Sequence, residues 1–273
     1  MGLSSNTLWH QTKKDYILKI LKERRFYFSY SKESMPNKEV VAFPMISLCD
    51  LPISEFADYI YKYGGYSIGM TKEWGIKNGF NPVWYCNYDS LVLSEIKLTN
   101  ILYNICSYIK PIEGVLKVRG KEYKKYRFMD EREVRLLPSE QRMKDINLNQ
   151  YLSTEEYNVY KTQNNNSSLI PIFVQFDWDD IKYIIVKNPE NKEEFKKLLI
   201  KFGCEFDNIQ IFDINQIKED FIGIGHNQFS KYYLTNDFKD KRLLETANAL
   251  SIGKIKGKET FTEYLKRSIK KEP

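Results

Sequence analysis

The alternation of hydrophobic and polar positions along the chain predicts many short strands with helices between them. The strand-like segments are "LWHQT", "VVAFPMISLCDLP", "YSIGM", "NPVWYC", "LIPIFVQFDWDDIKYIIV" and "NIQIFDI". Apolar residues at helical spacing predict helices over residues 15–24, 54–63, 90–109 and 190–203. Because these elements do not form a regular strand–helix–strand array, the predicted fold class is α+β.

Other segments have a weaker or mixed pattern. The segment "TKEWGIKNGFN" predicts a turn-rich link with its sharpest turn at an Asn-Gly pair. The segment "VLKVRGKEYKKYRFMDEREVRLLP" predicts two strands around a basic loop, and residues 143–168 predict an inserted surface segment. The strand pattern is lost near residue 220, so we expect a main domain over residues 1–219 and a basic C-terminal extension over residues 220–273.

Composition narrows the class of protein. A chain of 273 residues with 42% hydrophobic and 29% charged positions is typical of a soluble globular protein. Its apolar runs stay well short of 18 residues, so we expect no membrane span. We expect a cytoplasmic location, where cysteines stay reduced. The net charge of +6 favours an anionic partner. The four cysteines form no C-x-x-C pair and histidine occurs twice, which predicts reduced thiols and no metal site.

The first strand carries a candidate ligand-binding pair, His10 and Thr12, which share one face because they lie two residues apart. The ring of His10 could hydrogen-bond a ligand hydroxyl from a rigid strand. The alternative is a hydrogen-bonded core histidine. Two tyrosines around a glycine pair, Tyr63 and Tyr66, either stack on a flat ligand ring or take part in ordinary aromatic packing.

The stretch "RFMDEREVRLLP" places two glutamates before a hydrophobic strand. On a strand, Glu131, Glu133 and Arg135 share one face. This face is either a solvated strand end that blocks edge pairing or a carboxylate site within a cleft. In the second case, a carboxylate stabilises positive charge that develops on a sugar ring.

A basic segment precedes this stretch, with tyrosines and a phenylalanine interleaved among its cations. This composition is used to bind single-stranded nucleic acid through phosphate contacts and base stacking, whereas the alternative is a solvated basic tip. The candidate nucleic-acid-binding residues are Lys117, Arg119, Lys121, Lys124, Lys125 and Arg127.

Residues 8 to about 137 resemble the AbiGi family of abortive phage-resistance proteins. The stretches that carry the resemblance are "LWHQT", "FPMISLCDLPIS", "YGGYSIGMTKEWGIKNGFNPVWY" and "DEREVRLLP". The order of a histidine, a tyrosine and a late glutamate is also similar to the H-Y-E arrangement of ADP-ribosyltransferases, whose superfamily includes DarT toxins and the RNA phosphotransferase KptA. This resemblance implies an ADP-ribosyltransferase-like split β-sheet core with flanking helices.

The transferase resemblance also implies a chemistry, with NAD as co-substrate and no metal. Cleavage of the nicotinamide–ribose bond builds positive charge on the ribose, which a carboxylate on the 2′-hydroxyl stabilises. The resemblance gives this role to Glu133 and activation of the acceptor to Glu131. The position after the histidine is Gln11, where many transferases have glycine. The NAD-binding residues that it implies are His10, Thr12, Tyr63 and Tyr66.

The leading hypothesis from the sequence is a phage-defence toxin that transfers ADP-ribose from NAD to a macromolecule. RNA is the favoured acceptor, and a cognate neutralising protein is the expected partner. The second hypothesis is a non-catalytic antitoxin that binds a toxin, and the third is an NAD hydrolase without a macromolecular acceptor. A transferase predicts that His10, a tyrosine and Glu133 converge in one cleft.

Overall fold

The structure is a computed structural model that describes residues 6–53, 62–90, 93, 105–118, 120–204 and 209–217. Within these residues, helices and a mixed sheet confirm the α+β class. The predicted C-terminal extension, residues 220–273, lies outside the described residues, so its boundary stays a prediction. None of the described helices has the length and apolar character needed to cross a bilayer.

The strands, in chain order, are β1 (Thr7–Thr12), β2 (Arg25–Ser34), β3 (Val40–Cys49), β4 (Tyr66–Thr71), β5 (Asn81–Pro82), β6 (Trp84–Cys86), β7 (Ile109–Pro111), β8 (Glu113–Val118), β9 (Lys121–Arg127), β10 (Glu133–Leu136), β11 (Leu169–Gln175), β12 (Ile181–Val186) and β13 (Gln210–Asp213). The helices are α1 (Lys14–Glu23), α2 (Lys72–Lys77), α3 (Glu140–Asp145), α4 (Thr154–Gln163), α5 (Pro189–Lys201) and α6 (Ile214–Gln216). A 3-10 turn, Phe128–Glu131, leads into β10.

The main sheet is split between β1 and β3. One half contains β11, β2 and β3, with β10 paired to β3 and β5 to β10. The other half contains β1, β4, β12 and β13. In the described residues, the two halves share one registered pair, Trp9 opposite Cys49. The indole nitrogen of Trp9 donates to the carbonyl oxygen of Leu51 at 2.9 Å. This side-chain hydrogen bond holds β1 to the segment after β3, where the backbone pairing of these two strands ends.

The main hydrophobic core lies on one face of this sheet. Helix α1 buries Ile17 and Leu21 against it, and α5 buries Phe195 and Leu199, because these residues recur at helical spacing. A smaller core that includes Phe43, Cys106 and Ile109 forms separately. Because Phe43 lies opposite Ser31, which alternates with the buried Phe28 and Tyr30, this smaller core lies on the other face of the sheet.

Several sequence predictions were wrong about local structure. The link "TKEWGIKNGFN" contains α2, because Thr71 caps it by accepting a hydrogen bond from the backbone nitrogen of Trp74. The basic segment is a loop only at its tip, and most of it forms β9, which pairs with β8. The second strand, β2, was not predicted. Most residues of the predicted helices over residues 54–63 and 90–109 lie outside the described residues. The second of these helices was predicted to extend too far, because Ile109 begins β7.

Candidate functional site: a buried charge cluster

Strand β10 contributes Glu133 and Arg135 to a cluster of ionic side chains. The cluster lies on the face of the main sheet that also carries the smaller core. Arg135 is fully buried, and its Nε donates to Glu133 Oε1 at 2.7 Å while Nη2 donates to Glu133 Oε2 at 3.0 Å. Its other contacts are Nη2 to Glu33 Oε1 and Nη1 to the Ser107 carbonyl oxygen, both at 2.6 Å. This guanidinium therefore makes a bidentate pair with one glutamate and a second ion pair with another.

Lys110, on β7, bridges the two candidate catalytic glutamates. Its Nζ donates to Glu133 Oε2 at 2.7 Å and to Glu131 Oε2 at 2.9 Å. The same ammonium lies 4.8 Å from the ring centroid of Phe128, which adds a cation–π contact. We call Glu33, Lys110, Glu131, Glu133 and Arg135 the charge cluster.

Glu131 is held by two tyrosines and by a tight turn. The hydroxyls of Tyr63 and Tyr126 both donate to Glu131 Oε1, at 2.6 and 2.9 Å. Arg132 follows with φ of 44°, a left-handed conformation that ends the 3-10 turn before β10 starts. Glu131 therefore does not belong to the strand on which the sequence placed it, although it reaches the same ammonium as Glu133.

The glycine after Tyr63 is required by a close approach of two backbones. At Gly64 φ is 150°, and a Cβ atom there would lie 1.9 Å from the carbonyl oxygen of Thr12. Because any side chain would collide with this backbone, the position requires glycine. The structure thus separates the two candidate tyrosines, since Tyr63 reaches Glu131 whereas the Tyr66 hydroxyl donates to Asn191 Oδ1 at 2.8 Å.

Charge compensation fixes the protonation of this cluster. Burial opposes ionisation of Glu133, but the charges of Arg135 and Lys110 together outweigh it and hold the pKa of that carboxyl well below its usual range. Burial also opposes the charge of Lys110, yet the neighbouring carboxylates raise its pKa well above the ordinary value. For Glu33, burial dominates over the attraction of Arg135 and raises the pKa. Glu133 and Lys110 are therefore both charged near neutral pH.

The predicted convergence of His10 with Glu133 is not found. Residues directly opposite in an antiparallel pair project to the same face of a sheet. Glu133 lies opposite Cys49, and Cys49 lies opposite Trp9. Since His10 follows Trp9 on the strand, its side chain projects to the other face, the face of the main core. Its ring lies 5.1 Å from that of Phe26, centroid to centroid.

His10 instead makes the contact expected of a structural histidine. Its Nδ1 lies 3.3 Å from the carbonyl oxygen of Ser47, across the split between β1 and β3. Burial lowers the pKa of His10 more than this hydrogen bond raises it, so the ring is neutral near pH 7. Thr12 and Tyr66 lie opposite each other and share the His10 face. The predicted NAD-binding set is thus divided between two faces, with Tyr63 alone beside the glutamates.

The predicted nucleic-acid-binding residues form an exposed hairpin. We call β8, β9 and the turn between them, residues 113–127, the basic hairpin. Its cations are exposed, except that Arg119 lies outside the described residues. Two of the three interleaved rings, Tyr126 and Phe128, are buried, and the Lys62 ammonium lies 5.7 Å from the ring centroid of the half-buried Tyr123. These aromatic rings are therefore occupied within the protein.

Sequence reasoning missed the two side chains that close the cluster from outside β10. Lys110 and Glu33 lie on β7 and β2, and neither has a neighbour in the chain that indicates an ionic site. Arg135 could be predicted from the sequence, because it lies two residues after Glu133 and therefore on the same face of the strand. Within the part of the chain that the structure describes, no group of three His, Cys, Asp or Glu side chains is arranged to hold a metal ion.

A family profile and a sequence relative both indicate a phage-resistance family. A family profile described as "Putative abortive phage resistance protein AbiGi, antitoxin" matches residues 14–187. The chain is 29% identical over 208 residues to "Abortive phage resistance protein AbiGi" of Lactococcus lactis subsp. cremoris, covering 62% of this chain and 80% of the relative. A solved structure titled "Thermus sp. 2.9 DarT in complex with carba-NAD+" is similar at 12% identity and a TM-score of 0.30, covering 76% of this chain and 95% of that one.

Proposed function

Because the chain belongs to the AbiGi family of abortive phage-resistance proteins, we propose that it acts as an antitoxin, a protein that binds and neutralises a toxin without catalysing a reaction. The observation that carries this proposal is the closed state of the charge cluster. Glu131 and Glu133 are 5% and 6% exposed, and both are paired with Lys110. This is the arrangement of a structural ion network.

The name of the matching family supports the same proposal, because it includes the word antitoxin. The predicted NAD-binding set does not fit a single dinucleotide site, since His10 and Glu133 project to opposite faces of the sheet. Lys110 also fills the space between the two carboxylates. Both observations favour a structural role for these residues over a catalytic one.

ADP-ribose transfer, with NAD as co-substrate and nucleic acid as acceptor, is the second candidate because one observation favours it. Glu133 stays ionised, and the described residues fill three of the roughly four hydrogen-bond positions on its carboxylate. A ribose hydroxyl could take the remaining position. This chemistry would make the chain itself toxic, whereas an antitoxin is needed for survival, so the two functions predict opposite results in cells.

The first experiment measures cell growth, on which a toxin and an antitoxin have opposite effects. Expression of the chain alone should leave growth unchanged, and its depletion from the native host should stop growth. Suppressor mutations that restore growth should inactivate one other gene, the toxin gene. The antitoxin proposal is wrong if depletion is harmless, or if expression of the chain alone arrests growth.

The second experiment measures chemistry directly. Purified chain is incubated with labelled NAD and with RNA, DNA or lysate protein, alongside a Glu133→Gln variant whose folding is checked by circular dichroism. A matched control is Glu122→Gln, which changes an exposed glutamate of the basic hairpin. We expect no label transfer and no NAD turnover. Transfer that Glu133→Gln abolishes and Glu122→Gln preserves would establish the transferase instead.

A further inference from the structure

We propose that the basic hairpin binds the phosphate backbone of nucleic acid. Its described cations are all exposed, and they are Lys117, Lys121, Lys124, Lys125 and Arg127. Two of them face a carboxylate, with Lys117 at 3.1 Å from Glu122 and Arg127 at 3.5 Å from Asp130. Lys121, Lys124 and Lys125 make no ion pair within the described residues. These three ammonium groups are therefore available to an external anion.

The hairpin is anchored, so its lysines are presented on a fixed surface. The Tyr126 hydroxyl donates to Glu131 in the charge cluster, and the Tyr126 ring contacts that of Phe128 at 5.2 Å between centroids. At Gly114 a Cβ atom would lie 3.1 Å from the Phe128 ring, so the opposite strand is also packed closely. Gly120, with φ of 72°, allows the chain to turn between the strands. A fixed hairpin loses little conformational entropy when it binds.

The composition of the hairpin surface favours nucleic acid over a protein partner. Protein interfaces have an apolar centre and are depleted in lysine. The hairpin instead exposes one large apolar side chain, Val115, among its five described cations. Phosphate oxygens are the anions that dense lysine clusters bind most readily, through release of counterions from the nucleic acid. Because this inference concerns an external surface, it does not depend on the antitoxin proposal.

The aromatic contacts indicate whether binding to the hairpin would depend on the base sequence of the nucleic acid. Tyr126 and Phe128 are buried, and the Lys62 ammonium lies 4.6 Å from the ring centroid of Tyr126. Tyr123 is half-buried and lies within cation–π distance of Lys62. The described part of the hairpin therefore lacks the series of open rings on which other proteins stack single strands. We expect binding that is independent of base sequence and strongly sensitive to salt.

The test compares two triple variants of the full chain. One is Lys121→Gln/Lys124→Gln/Lys125→Gln in the hairpin, and the control is Lys187→Gln/Lys197→Gln/Lys201→Gln, which removes three exposed lysines elsewhere. Both lose the same net charge. Fluorescence anisotropy measures binding to labelled 20-nucleotide single-stranded RNA, single-stranded DNA and duplex DNA across a series of salt concentrations, after thermal melting confirms that each variant is folded.

We expect the hairpin variant to bind single strands about tenfold or more weakly, and the control to change affinity less than twofold. The slope of log affinity against log salt concentration should fall by about 2 for the hairpin variant, since each phosphate contact on a single strand contributes about 0.7. Equal losses in both variants, unchanged binding in the hairpin variant, or a wild-type chain that binds none of the three ligands would overturn the proposal. The three ligands also identify which nucleic acid binds most tightly.

Discussion

The charge cluster and the basic hairpin are neighbours in the chain, but the charges of the cluster are largely buried and paired, whereas most of those in the hairpin are exposed and unpaired within the described residues. In the cluster, Arg135 is fully buried and pairs with Glu33 and Glu133. In the hairpin, Lys124 and Lys125 are exposed and have no ion-pair partner in the described residues. A buried charge costs several kcal/mol unless it is paired, whereas an exposed one remains solvated. Charge in this protein therefore serves structure in one place and is available for binding in the other.

This difference arises from the strand that each segment joins. β10 pairs with β3 in the main sheet, so its inward residues must find partners from β2 and β7. β9 pairs only with β8 among the described strands and forms a two-stranded sheet. A two-stranded ribbon has no covering layer over most of its side chains, and its cations stay in water.

The largest expected loss of stability comes from a substitution at the centre of the charge cluster. Arg135→Met should lower the free energy of unfolding by about 3–5 kcal/mol, because it leaves Glu33 and Glu133 buried with one cation fewer. Arg127→Met is the matched control in the hairpin, where an exposed pair contributes about 0–1 kcal/mol. Urea unfolding of both variants checks this. Equal losses would mean that burial does not separate the two regions.

The next effect is a pH dependence that differs between the two carboxylates of Arg135. The folded pKa of Glu133 is depressed, so its stabilisation is present above the unfolded value of about 4.3 and is lost as pH falls. The folded pKa of Glu33 is raised, so its protonation favours the folded state as pH falls. Glu133→Gln should therefore flatten the acid loss of stability, and Glu33→Gln should steepen it. Unfolding free energies measured from pH 7 to pH 3 test the signs, and identical slopes in both variants would contradict them.

Local pattern was enough to predict much of the fold. The strands β1, β3 and β4 and the helices α1 and α5 follow from hydrophobic spacing, because each buries one face or both. Strand β2 was missed although its alternate residues Phe26, Phe28 and Tyr30 are buried. The helix α2 was missed because its glycine and the Asn-Gly pair after it are typical of turns.

The site was harder to predict because its contacts are non-local. The hydrogen bond between Tyr63 and Glu131 connects residues 68 positions apart in the chain, and that between Lys110 and Glu133 connects residues 23 positions apart. Motif order placed His10 with Glu133, but a one-residue offset between paired strands inverts the face of every side chain. No local pattern reveals that offset, since it is set by the pair of Trp9 with Cys49.

A smaller effect compares two tyrosines on the same strand of the hairpin. Tyr126→Phe removes a hydroxyl that donates to the buried Glu131 at 2.9 Å and should lower the free energy of unfolding by about 1–3 kcal/mol, because the carboxylate loses a hydrogen-bond partner. Tyr123→Phe should change it by less than about 0.5 kcal/mol, because the Tyr123 hydroxyl makes no hydrogen bond within the described residues. Thermal or urea unfolding measures both. A larger loss for Tyr123→Phe would show that the hairpin is not anchored through Glu131.

The smallest effect concerns the exposed lysines themselves. Lys121→Gln, Lys124→Gln and Lys125→Gln should each leave the free energy of unfolding within about 0.5 kcal/mol of the wild type, since none of them has an ion-pair partner in the described chain. Removing a repelled cation could even raise stability slightly, because the hairpin carries like charges close together. Urea unfolding at low and high salt measures this, since salt screens such repulsion. If one of these substitutions lost more than about 1 kcal/mol, its lysine would belong to the structural charges with Arg135.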